Sequence, residues 1–305
     1  MSTYSIKDLE NLSGIKAHTL RIWEQRYDVI TPKRTDTNIR YYSSDDLKLL
    51  LNIALLNNNG YKISKISKMS HAEIAELAYK LCETSTEADN HLSLLTSSMV
   101  ELDEEKFEKV LSTSILQNGF EKTIIKVIQP FLQKIGILWQ TGNINPAQEH
   151  FITNLIRQKV IVAIDGQVTP EFNENKKKFL LYLPEGEFHE LSLLFSSYLL
   201  KSRGHKVIYL GTSVPLKDVQ SVFGYHEADY VLTIFTAQKQ EADLQEYINQ
   251  LSDSIPEAQI LVSGYQVKHH KLKFPKNMSL IPDFETFLNL IEGVNRNKSA
   301  FSNMN

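Results

Sequence analysis

At 305 residues the chain has room for two or three domains, and its 42% hydrophobic and 23% charged content excludes a wholly disordered or fibrous protein. A single cysteine, Cys82, excludes an internal disulfide framework or a site of several thiolates, and no stretch approaches the roughly 20 apolar residues of a membrane span. The formal charge of −3, taken whole, argues against a nucleic-acid partner.

Ser5 is placed to cap a short helix to Leu12, with Asp8 completing a capping box and Ser13-Gly14 ending it. A second helix runs from Lys16 to Tyr27, with Ile15, Thr19, Ile22 and Trp23 on one face. Two short helices joined by a Ser-Gly turn make a helix-turn-helix pattern. Residues 31–42 break the helical period around Pro32 and Asn38 and predict a loop or β-hairpin wing. Ser44-Asp45-Asp46 then caps a helix to about Asn58, with Leu47, Leu50, Leu51, Ala54 and Leu55 facing inward. Helices follow near 62–68, 71–83, 88–99, 103–118, 121–140 and 146–165, and their short connections predict a four-helix bundle in the later part.

Residues 166–176 read as a linker, after which the pattern changes. Strands at 178–183, 207–210, 230–235, 260–262 and, more weakly, 278–281 alternate with helices at 191–203, 215–223, 239–251 and 284–293. That alternation predicts an open parallel sheet covered on both faces, with its ligand crevice beyond the carboxyl ends of the strands. The expected architecture is multidomain α and α/β. It comprises a winged helix-turn-helix over 1–72, a helical linker and four-helix cap over 73–165, and a flavodoxin-like parallel-sheet domain over 176–295. The polar segment from Asn295 reads as a frayed tail.

The overall charge conceals an asymmetry. Residues 1–70 hold eleven Lys or Arg against seven acids, so the first module is +4 and the remainder −7. Phosphate contact needs local positive charge, and a basic module on an acidic body provides it. Three segments of that module, YSIKDLENLSGI at 4–15, TLRIWEQRY at 19–27 and NIRYYSSDDL at 38–47, resemble the MerR family of winged-helix transcription regulators. The resemblance implies binding to double-stranded DNA as a dimer on near-palindromic sites. A helix entering the major groove from its N-terminus would present Lys16, His18, Thr19 and Arg21 first, with Arg26 further along. Arg40 and Tyr41 on the wing would hold phosphates.

Two further motifs resemble the cobalamin-binding module of light-responsive MerR-like repressors. Trp139 is followed ten residues later by Glu149-His150, and PEGEFHELSLLF at 184–195 falls in the first strand-to-helix loop. The resemblance implies that Trp139, Glu149 and His150 roof the upper face of a corrin. It also implies that His189 ligates the cobalt from below, with Glu187 as its neighbour. An imidazole suits that task when its second nitrogen has a partner that fixes the tautomer. Ser192, Thr233 and Gly264 stand at the matching positions of the small-residue motifs that admit the cofactor's nucleotide tail. The implied ligand is adenosylcobalamin or another cobalamin, and the implied assembly a homodimer or homotetramer.

The sequence departs from that pattern at three places. Phe235 and Tyr265 add rings where the pattern has small residues, and Gln140 follows Trp139 where light-sensing members carry histidine. A cofactor-free regulator, with the old cavity filled and the domain used for dimerisation or partner binding, is therefore the alternative. An enzyme is not expected, because G-x-S-x-G, P-loop and G-x-G-x-x-G signatures are absent from the sequence. Cys82 reads as inert packing and His269-His270 as a solvent-exposed pair. The low cysteine count and the polar start MSTYSIKDLE suit a cytoplasmic protein.

Overall fold

Side-chain capping explains several of the helix starts. Strand β1 (Thr3–Tyr4) leads into α1 (Ile6–Ser13), where Ser5 and Asp8 form the expected reciprocal capping box and Gly14 closes the helix at φ 77°. Helix α2 (Ala17–Tyr27) has no Ser or Asp at its N-cap. Glu10 of α1 substitutes, accepting the Ala17 N–H at 3.1 Å. Strands β2 (Lys33–Arg34) and β3 (Arg40–Ser43) form the wing, antiparallel, and β1 pairs with the other edge of β3, a strand the sequence did not suggest. Helix α3 (Ser44–Asn58) starts from Ser43, one residue before the expected cap, with Asp46 completing the box. Its Leu47, Leu50, Leu51, Ile53, Ala54, Leu55 and Leu56 are all buried. A helix covered on all sides is a core element, not a surface one.

The structure, a computed structural model, describes residues 3–35, 38–84, 88–140, 144–167, 176–237 and 239–294. The linker expected at 166–176 lies largely outside the described residues, as do the tail from Asn295 and the side chains of Cys82, Trp139 and Gln140. Two compact units emerge, 1–155 and 156–305.

The first unit continues through α4 (Ile63–Ile66), α5 (His71–Thr84), α6 (Ala88–Glu101), α7 (Glu104–Asn118) and α8 (Phe120–Thr123). A π-helical turn, Ile124–Ile128, joins α8 to α9 (Gln129–Gln140), so the single helix expected at 121–140 is interrupted internally. Helix α10 (Pro146–Asp165) opens with Pro146 at its first position. Asn145 accepts the Ala147 N–H, while its own N–H donates to Gln148.

The second unit is the predicted parallel sheet. Its elements are β4 (Lys178–Pro184), α11 (Leu191–Ser202), β5 (Lys206–Val214), α12 (Leu216–His226), β6 (Tyr230–Ile234), α13 (Glu241–Ser254), β7 (Gln259–Ser263), α14 (Tyr265–His269), β8 (Met278–Leu280) and α15 (Phe284–Val294). The strand order is β5-β4-β6-β7-β8, all parallel. Strand β4 is central and buried from Phe179 onward. The chain leaves β4 first to one side, to β5, and then returns on the other side, to β6. The carboxyl ends of β4 and β6 therefore flank the switch point where such sheets bind ligands.

Candidate functional site

The exposed face of α2 carries His18, Arg21, Ile22, Gln25 and Arg26, while Leu20 and Trp23 pack inward. Ile22 is 43% exposed, so it does not share the inward face with Trp23 as the sequence grouping had it. Helical spacing aligns it with His18, Arg21 and Arg26. Thr19 is half-buried, its hydroxyl 3.3 Å from His18 Nε2. Lys16 is the N-cap residue, and its ammonium pairs with Glu10 at 3.0 Å. Beyond the C-terminal end of α2 lies a hollow lined by Arg26, Lys65 and Lys68. This extends the basic surface past the recognition-type helix.

The wing arginine is less available than its sequence position implies. Arg40 is half-buried and pairs with Glu24 of α2 at 3.5 Å. The Tyr42 hydroxyl donates to the other oxygen of Glu24. Burial, with the hydrogen bond to Glu24, pushes the Tyr42 phenol well above its ordinary range. This triad fastens the wing to α2, and it follows from no spacing in the sequence. Tyr41 is half-buried beside it, and Arg34 at the wing's outer strand bonds Asn38 at 2.7 Å.

In the cap, the expected pair stands in the first turn of α10. His150 Nδ1 lies 3.0 Å from Glu149 Oε2, and the His150 ring is exposed. Trp139 is on α9 in the last turn, and its side chain is among those not described.

The second unit holds the most organised polar cluster. Glu187, only 2% exposed, lies just past the carboxyl end of β4. One carboxylate oxygen accepts the His189 N–H at 3.0 Å and contacts the ring Nδ1 at 2.6 Å. The other accepts the backbone N–H groups of Thr236 at 2.7 Å and Ala237 at 2.6 Å, just beyond β6. Glu187 therefore ties together the two strand exits that flank the switch point. Burial alone would raise its pKa, but the bonds from the His189 ring and from the Ala237, His189 and Thr236 N–H groups hold it at about 2. The carboxylate is thus ionised, and it faces Nδ1 of the His189 ring, which donates to it. The His189 side chain is 63% exposed.

The same loop is held from β5. Ser213, at φ 54°, donates its N–H to the Glu187 carbonyl at 3.2 Å and accepts the Gly186 N–H at 3.2 Å. A non-glycine residue in the left-handed region is uncommon, and here two loop contacts fix it. Glu190, next to His189, is bound by Arg157 of α10 at 2.5 Å and by the Tyr209 hydroxyl at 3.3 Å. None of Ser213, Thr236, Ala237, Arg157 or Tyr209 was picked out by the sequence. Three act through backbone groups or a single hydroxyl, and the other two reach the loop from distant elements.

The remaining expected cofactor positions behave differently. Ser192 is exposed in the first turn of α11. Thr233 is fully buried on β6, its hydroxyl without a hydrogen bond of ordinary geometry. Gly264 has φ 109°, and a Cβ there would lie 2.3 Å from the Phe235 carbonyl oxygen. Its lack of a side chain serves the close approach of the β6 exit to the β7 exit. Phe235 is 1% exposed and sits edge-on to Tyr247 at 5.7 Å, as its expected role in filling the interior requires. Tyr265 does not fill that space, contrary to expectation. It is 56% exposed and stacks on His269 at 3.8 Å, because Gly264 turns the chain outward before it. His270 is also less free than expected, since its ring is half-buried between Glu241 and Gln266.

Among the described residues no helix is long and apolar enough to cross a membrane, and no cluster of three His, Cys, Asp or Glu is placed to hold a free metal ion. A family model described as MerR HTH family regulatory protein matches residues 4–73. A second, described as B12 binding domain, matches residues 92–163. The HTH-type transcriptional repressor CarH of Myxococcus xanthus is 25% identical over 276 residues, covering 88% of this chain and 91% of that one. The repressor CarA of the same organism is 24% identical, covering 88% of each. Among solved structures, the monomethylamine corrinoid protein of Methanosarcina barkeri is 13% identical with a TM-score of 0.49, covering 64% of this chain and 94% of its own. The chain thus joins a MerR-type helix-turn-helix region to a B12-binding domain and is homologous to the CarH and CarA repressors along most of its length.

Proposed function

We propose that this chain is a DNA-binding transcription regulator whose C-terminal part senses a cobalamin. The observation that carries the reading is the Glu187–His189 pair at the sheet's switch point, in a chain that also holds a MerR-type DNA reader. When bound, a corrinoid would supply a cobalt able to take an imidazole ligand. The chain's own residues fit that demand. His189 would hold the cobalt, with the buried Glu187 carboxylate 2.6 Å from its Nδ1 orienting the ring. Trp139, Glu149 and His150 would cover the upper face. Lys16, His18, Thr19, Arg21 and Arg26 would meet the major groove, with Arg40 and Tyr41 beside it.

The finer reading is a repressor that is not an enzyme, acts as a homodimer or homotetramer, and takes adenosylcobalamin. A ligand changes DNA affinity only if it favours one assembly state over another, so that difference is the quantity to measure. The test is the absorption spectrum with added adenosylcobalamin, in the dark and after green light, alongside gel filtration. Uptake with the spectral change of histidine ligation, lost in His189→Ala, is expected. Absence of uptake at tens of micromolar overturns the reading in favour of a cofactor-free regulator. Phe235, buried at 1% exposure, is the observation that favours that second reading.

A further inference from the structure

We infer that the corrinoid site of this chain takes the ring and leaves the nucleotide tail outside the protein, so that a tail-less corrinoid is its preferred ligand. The inference rests on the cobalamin reading above and deepens it. The ring end of the site is built: His189 is exposed, its Nδ1 lies 2.6 Å from the Glu187 carboxylate, and the loop that bears it is tied to β5, β6 and α10.

The interior behind that loop is closed by the protein itself. The Phe235 ring packs edge-on against Tyr247, and the Tyr247 hydroxyl meets the Tyr182 hydroxyl at 3.0 Å. Tyr182 and Phe235 share one buried core with Leu244, Ile248, Val262 and Val267. The glycine that could admit a guest is also occupied. Phe235 backbone atoms lie 2.3–2.6 Å from the position of a Cβ on Gly264. The Phe235 N–H bonds the Ser263 carbonyl at 2.8 Å, and its carbonyl accepts the Gln266 N–H at 3.0 Å. A tail entering between sheet and helices here would have to break these two backbone bonds or turn a buried ring into solvent. Close-packed interiors do not yield to a guest of that size by small adjustment.

A consequence follows for ligand choice. Cobalamin in water keeps its own base on the lower face of cobalt, where His189 must bind. In a protein that buries the displaced tail, the burial compensates for removing the base. Here nothing does, so cobalamin binds only through its small base-off fraction, and its apparent affinity is reduced by that fraction. Cobinamide, the same ring without the nucleotide, has no base to remove.

The full chain should therefore be titrated with cobinamide and with cobalamin, matched in upper ligand, by calorimetry and by absorbance. Cobinamide is expected to bind about tenfold tighter or more. The histidine-ligation spectrum should appear with both ligands and vanish in His189→Ala. Cobalamin binding as tightly as cobinamide, or more tightly, overturns the inference while leaving the cobalamin reading intact. Failure of both to bind overturns both. Persistence of the ligation spectrum in His189→Ala overturns the placement of the ring on His189.

Discussion

Glu187→Gln tests whether one carboxylate organises the switch point. The carboxylate accepts four hydrogen bonds, two from His189 and one each from Thr236 and Ala237, while 2% exposed. A glutamine amide has one oxygen and cannot accept on both sides. With its oxygen toward Thr236 and Ala237, its NH2 group confronts the His189 N–H, and the ring must move its proton to Nε2 to accept from it. With its oxygen toward His189, the NH2 group confronts two backbone donors. Either way about two charge-assisted bonds disappear, each contributing about 1.5–3 kcal/mol. Removing a buried charge offsets part of this, so the net loss should be about 3 kcal/mol. Hydrogen exchange read by mass spectrometry over residues 185–192 and 231–240 resolves the two orientations, and denaturant titration gives the total. Faster exchange at Thr236 and Ala237 is expected if the amide turns its NH2 group that way. Loss of the histidine-ligation spectrum marks the other. Wild-type exchange, spectrum and midpoint together would refute the argument that Glu187 holds the two strand exits.

Three further outcomes follow from named contacts. Gly264→Ala places a Cβ 2.3 Å from the Phe235 carbonyl oxygen at φ 109°, so stability should fall by about 3 kcal/mol or more; an unchanged thermal midpoint contradicts the close approach. His205 is buried, with Lys176 and Arg203 nearby and Asp229 opposing them, and burial lowers its pKa to about 4. Its neutral ring supports folding fully above the unfolded value of about 6.5, and that support is lost as pH falls toward 4. The free energy of unfolding should therefore be about 2 kcal/mol smaller at pH 5 than at pH 7, with the dependence flattened in His205→Phe. Arg21→Ala should lower the salt slope of DNA binding by about one, whereas Arg40→Ala should lower it less, because Glu24 already opposes that charge. Equal losses would show that the Arg40–Glu24 pair opens on the duplex.

Much of the fold was legible because local rules agreed with global ones. Ser5 with Asp8, the apolar run in β4 and the strand–helix alternation after 176 each pointed to one structure. Errors came where a non-local contact overrode a local signal. Ser44 resembled an N-cap, but Ser43, the last residue of β3, takes that role with Asp46 as its partner. Ile22 fits an apolar stripe, yet Trp23 and Leu20 fill the space and turn it outward. At the site, His189 and Glu187 were visible as a motif, but the function of the carboxylate was not. Its partners are backbone N–H groups some 50 residues away, and an N–H group leaves no mark in sequence. Phe235 and Tyr265 looked alike as bulky departures. The chain's direction after Gly264 separates them, sending one ring into the core and the other into solvent.

The first unit shows how a DNA reader can be held by the helices that follow it. Helix α3 belongs to both, since its buried leucines face α1 on one side and α5 and α6 on another. Polar clasps reinforce that shared core. Glu101 of α6 draws Lys48 of α3 at 3.2 Å and Lys106 of α7 at 3.1 Å. Asn59 and Asn90 exchange amide hydrogen bonds. Lys134 of α9, its pKa lowered by burial, donates to the Leu12 carbonyl at the end of α1. That last bond supplies the cation favoured at a helix C-terminus, two residues before the turn into α2. A displacement of α9 would therefore act on the entry of the recognition-type helix through one buried ammonium and one carbonyl. Contact alone is not coupling. For a ligand bound in the second unit to alter DNA affinity by this route, the clasp must have two arrangements, and the ligand must bind one of them more tightly than the other.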